Sequence, residues 1–124
     1  MRFGIDIHGV ADTKKKFFAK FSQRIVSQGF ECHIITGSRR TNELENQLKD
    51  WGIQYTHFFS IADYLITQGK EVIWKTPNDP FFKSEDWDST KAKYCEENKI
   101  DLMIDDSEEY GKYFTTLYFQ MKRI

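Results

Sequence analysis

Two short apolar runs, far apart in the chain, both end on carboxylates: Phe3-Gly4-Ile5-Asp6 and Leu102-Met103-Ile104-Asp105-Asp106. Each reads as a buried strand that delivers acid at its C-terminal tip. In an open parallel sheet, ligands and chemistry gather outside the carboxyl ends of the strands. With the two strands side by side, the carboxylates of Asp6, Asp105 and Asp106 meet. Such a cluster repels itself unless a cation neutralises it, and a hard divalent ion with oxygen ligands is the natural match. The pattern therefore asks for an α/β domain with a magnesium site at one sheet edge and phosphate as the substrate group.

The rest of the chain supplies alternating strands and helices. Arg2 to Ile7 reads as a first strand, and Asp12 or Thr13 caps a helix through about Gln28 with Phe17, Phe18, Phe21, Ile25 and Val26 at helical spacing. Cys32 to Ile35 is a second strand closing at Thr36-Gly37-Ser38. Thr41 or Asn42 opens a helix that Gly52 stops, 53–59 suits a third strand, and Ser60 caps a short helix ended by Gly69. Val72 to Trp74 is a short apolar run without a clear role, and Thr76 to Asp88 reads as irregular, with both prolines, Pro77 and Pro80. Ser89 or Thr90 caps a helix from Lys91 to about Asn98. A fourth core strand covers 101–104, a helical turn 108–113, and a last strand 116–121. Alternation of this kind predicts a mostly parallel sheet covered on both faces, a Rossmann-like three-layer α/β/α sandwich.

Length and composition narrow the function classes. A chain of 124 residues fits one domain with one real core. Its net charge of -1 gives no broad pull toward nucleic acid or membrane, and no apolar run approaches the ~20 residues of a membrane span. Cys32 and Cys95 lack ligand spacing and read as reduced packing residues, which points to a cytoplasmic setting. His33 and His57 likewise lack ligand spacing with each other or with a cysteine, so a zinc site is not expected. The eleven phenylalanines supply core, with some left for a pocket or for a contact between copies of the chain.

Four local signals carry the chemistry. Asp6 at a strand tip can attack phosphorus or serve as a metal ligand, and Gly9 just behind it allows a tight turn. Thr36 offers a hydroxyl, and Gly37-Ser38 offer free N–H groups, at a strand-to-helix junction suited to phosphate oxygens; ordinary turn chemistry uses the same residues. Arg39 and Arg40 follow at once, and their guanidinium forks match phosphate. Lys91, at the expected start of a helix, places an ammonium where it can reach the carboxylates, with Lys93 as the near rival. Adjacent Asp105 and Asp106 cost stability through repulsion, so one would bind a metal while the other holds a metal-bound water or the lysine; a capped loop is the alternative.

Taken in order, Asp6 with Gly9-Val10 behind it, Thr36, Lys91 and Asp105-Asp106 resemble the four motifs of the haloacid dehalogenase-like (HAD) superfamily across nearly the whole chain. The resemblance implies a single capless HAD-like domain over residues 1–124. It implies Asp6 as nucleophile, Thr36 and Gly37 on the phosphoryl group, Lys91 as counter-charge, and Mg²⁺ held by Asp6, Asp105, Asp106 and the main-chain carbonyl of His8. The expected activity is magnesium-dependent hydrolysis of a phosphorylated small molecule, a nucleotide or sugar phosphate, through an aspartyl-phosphate. One position departs from the family pattern. His8 stands where its phosphatases carry a second Asp as general acid and base. Imidazole, with a reference pKa of about 6.5, can do both jobs in principle. His8 thus leaves three outcomes open: a working substitute, slow turnover, or a domain that binds metal and phosphate without hydrolysis. Aromatic residues between Trp74 and Trp87 form the one candidate substrate loop, with packing or a dimer contact as the alternatives.

Overall fold

The computed structural model describes residues 1–76 and 79–122, with only the backbone of Asp79. Its elements in chain order are β1 (Arg2–Ile5), α1 (Lys15–Ser27), β2 (Glu31–Thr36), α2 (Asn42–Asp50), β3 (His57–Ser60), α3 (Ile61–Thr67), β4 (Ile73–Thr76), β5 (Asp79–Phe81), α4 (Ser84–Glu97), β6 (Leu102–Asp105), α5 (Glu108–Gly111) and β7 (Leu117–Gln120). Five strands form one sheet in the order β3-β2-β1-β6-β7, and all four pairings are parallel. The chain is a mixed α/β fold of Rossmann-like form.

Strand alternation explains the two buried faces. The pairings Ile5↔Ile34 and Ile5↔Ile104 put these three side chains on one face. There α1 and α2 cover the sheet with Phe18, Ile25, Leu44 and Leu48. The opposite face carries Ile35 and Met103, packed on Cys95 of α4. Burying each such side chain is worth about 1.5–3 kcal/mol. A third cluster joins Ile61, Ala62 and Leu65 of α3 to Phe82. Thr41, Ser60 and Ser107 each accept a main-chain N–H from the first turn of the helix they precede, at 3.1, 3.0 and 3.2 Å. Such caps are worth about 1 kcal/mol apiece. Both cysteines are buried and free, and burial pushes their thiols up to about 12, as suits packing residues. Among the described residues no helix is long and apolar enough to cross a membrane.

The middle of the chain departs from expectation. The apolar run at 72–74, given no clear role, and the start of the stretch expected to be irregular hold an antiparallel strand pair, β4–β5, with Ile73 opposite Phe81 and Trp74 opposite Pro80. Pro77 lies outside the described residues. Helix α4 starts at Ser84, well before the expected Ser89 or Thr90, and its preceding residue Lys83 makes no side-chain cap bond. Ser89 and Thr90 instead donate their hydroxyls back to Glu85 and Asp86 carbonyls inside the helix. Strand β3 is shorter than expected and covers His57–Ser60, because Ile53 is committed to the turn after α2, its N–H bonded to Leu48 O at 3.0 Å.

Candidate active site

Strand order sets the location. The chain runs outward from β1 through β2 to β3, then returns to the other side of β1 as β6 and β7. The crevice between β1 and β6 is the reversal point where ligands collect in open α/β sheets. Asp6 follows β1 immediately, and its N–H donates to Ile104 O at 3.0 Å, which extends the β1–β6 ladder to the tip. Asp105 closes β6, and Asp106 comes next. Carboxylate oxygens of Asp6, Asp105 and Asp106 all lie within 4.8 Å of one another.

A cation already sits among them. Lys91 is 1% exposed, and its Nζ lies 2.7 Å from Asp105 Oδ2 and 3.1 Å from Asp6 Oδ1. Its ammonium also lies 4.9 Å from the centre of the Tyr110 ring. The expected position for this lysine was the first turn of a helix. It occupies the middle of α4 instead and reaches sideways to the strand tips. Burial works against the Lys91 charge, but Asp6 and Asp105 outweigh it, and the amine is held above its ordinary range. Lys93, the sequence rival, is exposed and paired with Glu97 at 3.9 Å.

Asp6 and Asp105 carry different burdens. Burial pushes the Asp6 carboxyl up to about 7, with the lysine charge pulling it down and Asp105 pushing it further up. Asp105 is fully buried. Its Oδ2 holds Lys91, while its Oδ1 accepts the N–H groups of Asp106 at 2.7 Å and Ser107 at 3.1 Å. Lys91 pairs with Asp6 and Asp105, and Asp106 brings a third carboxyl group to an all-oxygen donor set. That set fits a hard dication such as Mg²⁺.

The turn after Asp6 is built around Gly9. Its φ is +82°, and a β-carbon there would overlap the Asp106 carboxylate. Only glycine lets residues 7–11 fold this close to the acid strand. The Gly9 N–H donates to Asp12 Oδ1 at 2.9 Å. His8 lies on this turn with its side chain largely exposed, Nε2 3.0 Å from Ser38 Oγ and Nδ1 3.5 Å from Asp12 Oδ2. Its imidazole is not one of the converging ligand groups.

Thr36 ends β2 fully buried, and its Oγ1 accepts the Ser38 N–H at 3.2 Å. Thr36, Gly37, Lys91, Asp6 and Asp106 line a common pocket of about 680 Å³, with His8 at its wall. Of the two arginines, Arg39 lines the pocket and is fixed by Asp63 at 2.9 Å. Arg40 turns away to Glu45 at 2.8 Å and to the Phe58 ring. Trp87, from the aromatic stretch read as a candidate substrate loop, and Tyr110, which the sequence reading did not single out, also line the pocket. Trp87 packs its ring on Gly37, where a β-carbon would come within 2.7 Å of the indole, and donates its N–H to the Tyr110 hydroxyl at 2.6 Å. The position of Tyr110, within the short helix α5 just after the acid strand, was the available hint. Pro80 of the hairpin also reaches the pocket. Compared with protein-family models, with curated proteins and with solved structures, the chain shows no match.

Proposed function

We propose that the chain is a HAD-like, magnesium-dependent phosphomonoester hydrolase acting on a phosphorylated small molecule. The observation that carries this reading is the convergence of Asp6, Asp105 and Asp106 around the buried Lys91, beside Thr36, in one pocket. Asp6, Asp106 and the His8 carbonyl would hold Mg²⁺ directly, with Asp105 anchoring Lys91 and completing the negative charge. The ion supplies positive charge for the phosphoryl oxygens.

The chain's own residues do the rest. Ionised Asp6 attacks phosphorus; the bond to the leaving alkoxide breaks, and His8 gives that oxygen its proton. Water then attacks the aspartyl-phosphate, losing its proton to His8, and Asp6 is released with phosphate. Thr36 and Gly37 hold phosphoryl oxygens, and the Lys91 ammonium offsets the charge that builds on them. Asp12, 3.5 Å from His8, and Ser38, at 3.0 Å, would orient the imidazole.

One observation favours a second reading, a domain that binds metal and phosphate without turnover. The His8 ring is engaged with Ser38 on the open side of the turn rather than with the acid cluster. The test is release of p-nitrophenol from p-nitrophenyl phosphate with and without Mg²⁺. Metal-dependent turnover lost in Asp6→Asn supports the hydrolase. A thermal shift with Mg²⁺ or phosphate but no turnover supports the binding domain. Absence of any response to either removes both.

A further inference from the structure

We propose that Glu31, His33 and His57 form a second, transition-metal site on the α4 side of the sheet, with Zn²⁺ as the ion it fits. Spacing along the chain hides this set. The β2–β3 register reveals it by pairing His33 directly with His57, while Glu31 lies two residues before His33 on the same face.

The three groups bring one ligand atom each within 4.8 Å of the others. Glu31 Oε1 is 2.8 Å from His33 Nε2 and 3.9 Å from His57 Nδ1. A tetrahedral zinc shell with bonds of about 2.0–2.1 Å places its ligands roughly 3.3 Å apart, between these two values. Imidazole, imidazole and carboxylate form a borderline donor set that suits zinc rather than magnesium.

Two ligands are braced from behind. Glu31 keeps its other oxygen, Oε2, on Arg2 Nε at 3.1 Å. Buried His33 has Nδ1 on the Tyr94 hydroxyl at 2.7 Å. A hydroxyl both donates and accepts, so Tyr94 can hold the tautomer that leaves the Nε2 lone pair to a metal. The third ligand is adjustable. The two imidazoles stack at 4.1 Å with planes 4° apart, and a metal must lie near the plane of each ring it binds. Binding therefore turns His57 out of the stack. His57 is half-exposed on the edge strand β3, and a contact between its Nδ1 and Thr56 Oγ1 at 2.8 Å restrains its ring. The same exposure gives the ion its entry path and leaves coordination positions for water. Thr36 lies three residues further along β2, roughly 10 Å at strand spacing. None of the three ligands lines the acid pocket.

The experiment is calorimetric titration of the full chain with Zn²⁺ under saturating Mg²⁺, paralleled by Co²⁺ absorption in the visible. The expected result is one Zn²⁺ per chain, weakened at least tenfold in both His57→Ala and Glu31→Gln and unchanged in Asp106→Asn. Circular dichroism checks that each variant is folded, and the exposure of His57 favours that. No zinc binding by the unmodified chain overturns the proposal. So does wild-type affinity in either ligand variant, or loss of binding in Asp106→Asn, which would assign the ion to the acid pocket.

Discussion

Replacing Lys91 with methionine keeps most of the buried volume and removes the charge that joins Asp6 to Asp105. At separations of 2.7 and 3.1 Å, each ion pair represents about 5–6 kcal/mol of gross attraction at an effective dielectric of 20. Most of that is offset by the cost of taking the three ions out of water. The balance changes once the lysine is gone, because two nearly inaccessible carboxylates are left facing each other. Breaking a buried pair in this way costs about 3–5 kcal/mol, a large share of the 5–15 kcal/mol that typically holds a small domain together. The Lys91→Met variant should therefore lose about that much stability in urea denaturation with EDTA. The same change leaves the cluster more negative, so added Mg²⁺ should raise its denaturation midpoint more than it raises that of the unmodified chain. A loss below about 1 kcal/mol in EDTA, together with an unchanged Mg²⁺ response, would refute the view that this lysine neutralises the acid cluster.

Three other outcomes are expected. Asp6 is held near 7 in the folded chain against 3.8 for a free side chain, so folding takes up a proton in that interval; the contribution is complete below about pH 4 and is lost as pH climbs through 7. Urea midpoints in EDTA should fall between pH 4.5 and 8 and flatten in Asp6→Asn. Gly9→Ala forces a side chain into positive φ and against Asp106, costing about 2 kcal/mol or more in the same assay and removing the thermal shift caused by Mg²⁺. His8→Asp should raise metal-dependent turnover of p-nitrophenyl phosphate at least tenfold; a flat result with Mg²⁺ binding retained favours the non-hydrolysing domain.

Local signals in the sequence carried most of the sheet. Apolar runs ending in polar tips marked β1, β2 and β6, and Thr41 and Ser60 announced helices because their hydroxyls have a short-range task. What escaped depended on partners far along the chain. The start of α4 has no side-chain cap to read, so the next serine and threonine stood in for it and misplaced Lys91 on its helix. Hairpin β4–β5 consists of short strands that pair only with each other, with Pro80 inside one of them, and proline argues against a strand. Trp87 stood in the stretch read as a candidate substrate loop, but its seat against Gly37, on another element, had no local sign. The alignment of His33 with His57 belongs to the register of two strands and has no trace in linear spacing.

Position of β1 at the middle of the sheet has a consequence for how this protein comes into being. One neighbour, β2, emerges soon after it, but the other, β6, is separated from it by most of the sequence. Until that later strand is synthesised, the central strand keeps one bare hydrogen-bonding edge, and Asp6 lacks its fellow acids. Arrival of β6 and assembly of the acid cluster are thus a single event. A nascent fragment ending before Leu102 would be a sticky half-sheet, better held by a chaperone than left alone in solution.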